Sequence, residues 1–253
     1  MADEKQTKQS KPNGGRAQAV DKIGKFGLRH WIGKLFKALL FVAISMHVYA
    51  LCLKFLPSSG SILMVQRSLS GVDVSRDWTP IDKISEHLVH AVIAAEDSQF
   101  CAHSGIDFEA VQTALRERSE GKGLRGASTI TQQTAKNAFF WNGGGLVRKA
   151  GEAWFALLID TVWGKRRVME HYLNLAEWGD GYFGAEAAAQ ARFGKSASEL
   201  TKREAALLAA VLPSPNKWRL DPAGPYVRER AGTLQARSRV VVKEGLADCV
   251  TGR

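Results

Sequence analysis

The sequence predicts a predominantly α-helical domain behind one N-terminal transmembrane helix, and three observations lead there. A long apolar run follows a basic head, apolar residues recur at helical spacing from Ile81 onward, and no series of alternating strands interrupts them. The 253 residues suffice for one sizeable globular domain with a proper core, plus an appendage.

The apolar run is LFKALLFVAISMHVYALCLKFL, residues 35–56. At about 1.5 Å per residue its length matches a hydrocarbon core of about 30 Å. Lys37 and Lys54 stand near its ends, where their stems reach the headgroups. His47 is the one awkward interior residue, tolerable as neutral imidazole. No small-residue cleavage site follows, and the long basic segment before it is unlike that of a cleaved signal. Residues 1–37 hold nine Lys/Arg (Lys5, Lys8, Lys11, Arg16, Lys22, Lys25, Arg29, Lys34, Lys37) against Asp3, Glu4 and Asp21, which is +6 of the net +10. A basic head beside an apolar run argues for a membrane, whereas nucleic-acid binding would call for a basic surface throughout. The bias of positive charge places residues 1–34 in the cytoplasm and everything after about 57 on the far side.

Residues 1–20 are polar and rich in Gly and Lys, and are expected to be disordered. Residues 57–80, PSSGSILMVQRSLSGVDVSRDWTP, carry Pro, Gly and Ser signals with short β-type runs, and read as an extended connector. The far-side domain then occupies 81–253, with Gly-rich interruptions at 121–127 and 143–145. Within it TKREAALLAAVL opens with a capping box, Thr201 with Glu204, and stops at Pro213. RKAGEAWFALLIDTVW and RRVMEHYLNLAEW show apolar residues at helical spacing. Three cysteines, Cys52, Cys101 and Cys249, do not make a disulfide framework. Cys101 and Cys249 are free to pair in an oxidising compartment, and the sequence leaves paired and free thiols both open.

Two acids end an apolar helix in IAAEDSQFCAHSGID, residues 93–107. Leu88, Val92 and Glu96 fall on one row, and Val89, Ile93 and Asp97 on the next, about 100° away. Both carboxylates extend apolar stripes, where desolvation raises a carboxyl pKa toward the range useful for proton transfer. A pair of acids that merely caps a helix end is an equally good reading of this stretch alone. In GASTITQQTAKN, residues 126–137, small residues admit a ligand and Ser128, Thr129, Thr131, Gln132, Gln133 and Lys136 offer donors to a sugar phosphate or diphosphate. By spacing alone an N-cap opening a polar helix is the stronger reading. In RKAGE, residues 148–152, Arg148 and Glu152 share a helical face with Lys149 beside them, which by itself is an exposed ion pair.

His87-x-x-His90 has metal-like spacing without a third ligand. Ser214-Pro-Asn-Lys217 matches the S-x-x-K of penicillin-binding transpeptidases, but too little chain follows it for such a domain. Phe139, Phe140 and Trp141 read as core, or as an interfacial aromatic patch on a membrane-tethered protein.

Taken together, E-D-S-Q-F-C-A-H-S-G-I-D (96–107), G-A-S-T-I-T-Q-Q-T-A-K-N (126–137), R-K-A-G-E (148–152), K-R-R-V-M-E-H-Y-L-N (165–174) and E-W-G-D-G-Y-F-G-A-E-A-A-A-Q-A-R-F-G-K (177–195) resemble the ordered motifs of the peptidoglycan glycosyltransferases of glycosyltransferase family 51. The likeness covers about 80–222 and is nearest to the monofunctional, membrane-anchored members from Gram-negative bacteria. It implies a lysozyme-like, two-lobed α fold and an inverting enzyme that polymerises lipid II into uncross-linked β-1,4 glycan, releasing undecaprenyl diphosphate.

By the same resemblance Glu96 is the catalytic general base, which takes the proton of the acceptor 4-hydroxyl, and Glu152 is the second catalytic acid, at the donor diphosphate. Lys136, Arg148 and Lys149 match the positions that stabilise the leaving diphosphate. Asp97, Phe100, His103, Thr129, Gln132, Gln133, Tyr172 and Asn174 match substrate-cleft positions that shape or brace it. Arg192 departs from the Tyr common before Phe-Gly-Lys. No cofactor is obligatory, with a divalent cation (Mg or Mn) allowed at the diphosphate. The implied partners are lipid II, the nascent glycan chain, membrane lipids and proteins of cell-wall synthesis or division, with no nucleic acid. The implied location is the bacterial inner membrane, single-pass, with a periplasmic catalytic domain. Two rivals are a lysozyme-like lytic transglycosylase acting on finished peptidoglycan and a non-catalytic membrane scaffold. The cradle at 126–137 and the cations beside Glu152 weigh against the first, and retention of both Glu96 and Glu152 against the second.

Overall fold

A computed structural model describes residues 14–121 and 126–252 of the chain, with side chains from residue 29. The elements run α1 (Gly14–Leu53), α2 (Ile62–Leu69), β1 (Ser75–Arg76), α3 (Glu86–Glu96), α4 (Phe108–Ser119), α5 (Ile130–Phe139), α6 (Gly145–Trp163) and α7 (Lys165–Leu175). They continue with β2 (Glu177–Gly179), β3 (Tyr182–Phe183), α8 (Ala185–Phe193), α9 (Lys202–Val211), α10 (Pro225–Lys243) and α11 (Asp248–Thr251). The predominantly α expectation stands. The chain divides into two compact units, residues 1–49 and 50–253.

The first unit is the body of α1. Within that helix Arg29–Leu53 is 25 residues long and apolar enough to cross a membrane. Its large apolar side chains, Phe36 and Phe41 among them, are exposed. His47 Nδ1 lies 2.7 Å from the carbonyl of Ala43, so the imidazole meets a backbone partner inside its own helix. Of the tail 1–20, expected to be disordered, residues 1–13 lie outside the described residues. Residues 14–20 are already helical, because extending an existing helix avoids the cost of nucleating a new one.

The second unit begins in the last turn of α1. Trp163 Nε1 donates to the carbonyl of Ala50 at 2.8 Å, and Arg167 Nε to that of Leu53 at 3.1 Å. His171 Nε2 meets the Leu53 carbonyl at 2.9 Å. These donors satisfy carbonyls that a helix end leaves orphaned, so α1 ends at Leu53 rather than at 56. The connector is not an extended stalk, as it carries α2. Ser61 caps that helix by accepting from the N–H of Met64 at 3.2 Å. Met64 is buried, and Arg67 pairs with Glu177 at 3.0 Å and with Asp180.

The core gathers α3, α9 and α10 on one side and α5, α6 and α7 on the other. Leu88, Val92 and Ile93 of α3, with Tyr172 and Leu173 of α7, are fully or almost fully buried. A small sheet of order β1-β3-β2 pairs β1 parallel and β2 antiparallel to β3. Strands of two or three residues are too short to show alternation, which is why the sequence pattern omits them. Thr201 and Glu204 form the expected capping box of α9. The glycine-rich interruption at 121–127 is described only at its edges, since 122–125 lie outside the described residues.

Candidate active site

Leu88 and Val92 are wholly buried, and the next residue on that row, Glu96, is the last of α3 and half-buried. Burial raises its carboxyl pKa above the ordinary value, and the neighbouring Asp97 pushes the same way. Three groups oppose the rise: a hydrogen bond from Gln133 and the charges of Arg230 and Lys136. Gln133 Nε2 donates to Glu96 Oε2 at 2.8 Å. Tyr172, almost completely buried, has its hydroxyl 3.5 Å from Gln133 Oε1. A cleft of 150 Å³ opens between Glu96, the turn after it and residues 126–129.

Asp97 faces away from proton transfer and into structure. Its Oδ2 accepts the N–H of Ile130, the first residue of α5, at 3.0 Å, and both its oxygens lie 3.1 Å from His103 Nε2. The bond to Ile130 satisfies one of the unpartnered donors at the start of α5. Thr129 and Gln132 form the capping box of that helix, and Thr129 Oγ1 also donates to the carbonyl of Gly105 at 2.7 Å. Gly105 has φ +79, and a Cβ there would stand 2.8 Å from the carbonyl oxygen of Ala156, so the turn meets α6 through a glycine. Phe100 is fully buried under Lys165 Nζ, 4.7 Å from its ring, and Lys165 also donates to the carbonyl of His103 at 2.6 Å. Asn174 is fully buried, holding the backbone of Thr79 with both ends of its amide and the carbonyl of Glu170. Asp97, His103, Thr129 and Gln132 therefore hold the turn after Glu96 and the start of α5 together, Phe100 is buried at that turn, and Asn174 ties α7 to the backbone at Thr79.

Lys136 follows Gln133 on the same face of α5. Burial lowers its ammonium pKa and the charge of Arg148 lowers it further, while Glu96 raises it. Lys136 thus stands within electrostatic reach of both the Glu96 carboxylate and the Arg148 guanidinium. Arg148 donates to Glu152 and to the carbonyl of Gly143. Lys149 Nζ lies 3.4 Å from Glu152 Oε2 and donates to Ser128 Oγ at 2.9 Å. Burial lowers the Lys149 pKa, and Arg148 and Lys136 add to the effect. Glu152, only 1% exposed, is the buried counter-ion that gathers Arg148 and Lys149. The charge of Lys136 thus acts on Glu96, while that of Arg148, itself paired with Glu152, acts on Lys136.

Sequence reasoning missed Arg230 of α10, whose charge reaches Glu96. Its Nε donates to the carbonyl of Ala210 at 3.2 Å, and its guanidinium lies over the Trp218 ring. It stands in an ordinary charged helix, so no spacing signal marks it. Arg192 stacks on Tyr182 at 5.0 Å and fills the space beside Gly179. Among the described residues no group of three His, Cys, Asp or Glu could hold a metal ion. Arg148 and Lys149 already engage the Glu152 carboxylate and the charge of Lys136 acts on Glu96, so the side chains there do not fit a divalent cation.

A helical scaffold with a desolvated carboxylate at a cleft and the charge of a buried lysine acting on it is that of a lysozyme-like glycosyltransferase. The chain belongs to the transglycosylase family, whose model matches residues 64–244. The match reaches past 80–222 at both ends, taking in Met64 of α2 and all of α10 with Arg230. Among similar proteins, the biosynthetic peptidoglycan transglycosylase of Rhodospirillum centenum is 51% identical over 214 residues, 84% of this chain and 90% of that one. The protein of the same name from Caulobacter vibrioides is 48% identical over 229 residues, 90% of this chain and 100% of its own length. That of Pseudomonas aeruginosa is 45% identical over 214 residues, 82% of this chain and 92% of its own.

Proposed function

We propose that the protein is an inverting peptidoglycan glycosyltransferase that polymerises lipid II into uncross-linked β-1,4 glycan strands and releases undecaprenyl diphosphate. The observation that carries this reading is Glu96, desolvated at the cleft and held by Gln133, with the charge of Lys136 acting on it and with Arg148 and Lys149 gathered on the buried Glu152. The Glu96 carboxylate takes the proton of the acceptor 4-hydroxyl as that oxygen attacks the anomeric carbon of the donor. Its raised pKa makes it the stronger base. As the bond to the diphosphate breaks, negative charge grows on the leaving group and meets Lys136, Arg148 and Lys149. An arriving diphosphate also reverses the lowered pKa of the two lysines, since a nearby anion favours the ammonium form. Glu152 acts by holding Arg148 and Lys149 in place. One displacement on an α-linked donor leaves a β-linked product.

In this reading α1 anchors the chain in the inner membrane, with residues 1–34 in the cytoplasm and the catalytic domain in the periplasm. The excess of Lys and Arg before the span supports that orientation, and so does the Cys101–Cys249 disulfide, which belongs in an oxidising compartment. The helix that carries Arg148 and Lys149 also exposes Val147, Ala150, Trp154 and Leu157 at helical spacing, with Leu146 and Trp141 nearby. Such a stripe suits the acyl boundary of a bilayer, where a lipid-linked diphosphate resides.

The test is incubation of the full-length protein with lipid II. Uncross-linked glycan polymer is the expected product. Release of muropeptides from finished sacculi without consumption of lipid II would replace this reading with that of a lytic transglycosylase.

A further inference from the structure

The turn after Glu96 is held on its inner side by non-covalent bonds and elsewhere by one covalent bond. Inside, Asp97 meets His103, Phe100 is buried, and Lys165 holds the carbonyl of His103. The covalent bond is the disulfide between Cys101 and Cys249, residues 148 apart in sequence with Cα atoms 5.7 Å apart, a normal bridging separation. Cys249 belongs to α11, a single turn too short to persist alone. Burial of Ala247 and Val250, packing on α7, and a hydrogen bond from Arg166 to the Val250 carbonyl dock it. Arg166 and Lys165 are neighbours on α7. One therefore holds the C-terminal helix while the other holds the turn, and the disulfide closes the ring between them.

We propose that the Cys101–Cys249 bridge is a positioning element for Glu96, so that its reduction converts the enzyme to a slow form. The proposal rests on the reading of Glu96 as the base. Cutting the bridge removes the turn's covalent tie and leaves its non-covalent contacts with α5, α6 and Lys165, so Glu96 is held less firmly and becomes more open to water, which lowers a pKa that burial raises. Cys249 is exposed, so a soluble dithiol reaches it. The dithiol supplies two electrons and two protons: the S–S bond breaks, two thiols form, and the reductant closes to its own disulfide.

The experiment uses the full-length protein in a Cys52→Ser background, so that the bridge alone responds to thiol reagents. Lipid II polymerisation is followed before and after dithiothreitol, and in Cys101→Ser/Cys249→Ser. A fall in kcat of about tenfold is expected from the loosened geometry, with KM changing by less than about twofold. The acid limb of the pH–kcat profile should move to lower pH, and reoxidation should restore both. A bridge that only holds the fold together would lower the melting temperature and leave kcat and the acid limb of the folded protein unmoved. That result overturns the proposal, as does unfolding of both the reduced protein and the double variant by circular dichroism. Glu96→Gln separates the two failures: polymerisation by Glu96→Gln sinks the base reading itself, whereas an inactive Glu96→Gln with fully active bridge variants sinks only the positioning role.

Discussion

The side-chain amide of Gln133 donates to the carboxylate of Glu96 across 2.8 Å, joining the end of α3 to the first turns of α5 over 37 residues of sequence. The bond orients the base and moderates a pKa that burial raises. The helix that supplies it also supplies Lys136, so two of the groups that lower the Glu96 pKa lie on one helix.

Glu96→Gln keeps the shape of the side chain and removes the basic oxygen. Polymerisation should fall by about 10²–10⁴-fold while affinity for lipid II changes little. Single-turnover rates measured beside equilibrium binding check this, and near-normal turnover would remove Glu96 from the role of base.

The same substitution should stabilise the fold at neutral pH. The folded-state pKa of Glu96 lies above its ordinary value of 4.5, so ionisation costs folded stability as pH rises through that folded pKa. Below 4.5 both states are protonated and the cost is absent. The melting temperature of Glu96→Gln should exceed that of the parent above the folded pKa, and the gap should close in acid.

Gln133→Ala removes a hydrogen bond that lowers the Glu96 pKa, so that pKa should climb further. The acid limb of the kcat/KM profile should move to higher pH. A limb that stays in place would show that the observed ionisation belongs to another group.

Glu152→Gln leaves Arg148 and Lys149 without their buried counter-ion. Breaking such a pair costs about 3–5 kcal/mol, visible as a lower denaturation midpoint. KM for lipid II should rise, because the cations lose their placement. Unchanged stability would show that the pair is not the anchor of the cation group.

His171 contacts the Leu53 carbonyl at 2.9 Å, and its pKa is lowered to about 3, first by burial and then by the charge of Arg167. A histidine depressed in the folded state binds its proton more readily when unfolded. Stability is therefore fully present above 6.5 and is lost as pH falls toward 3. The loss should approach about 1.4 kcal/mol per pH unit, and His171→Gln should flatten that slope in acid denaturation.

Local chemistry was legible in the order of residues. Thr201 with Glu204 read as a capping box and is one, and the row Leu88, Val92, Glu96 delivers its carboxylate from a buried stripe as the period required. Thr129 read both as an N-cap and as part of a ligand cradle, and the structure shows the cap. Helix α2 was not legible, because β-type residues and Gly-Ser punctuation outweighed a cap that gains its value from Arg67 reaching Glu177. Arg230 carried no pattern at all, and Lys165 opened the 165–174 motif without a role assigned to it.

By itself the sequence determined most of the helical elements, the membrane-length segment and the two apolar rows that end in Glu96 and Asp97. Each of these follows from spacing within a few turns. Only the tertiary structure decided that Gln133 bonds Glu96, that the charges of Arg230 and Lys136 reach it, and that Cys101 finds Cys249. Periodicity assigns a face to each helix, but which faces meet is set by the packing of elements far apart in the chain.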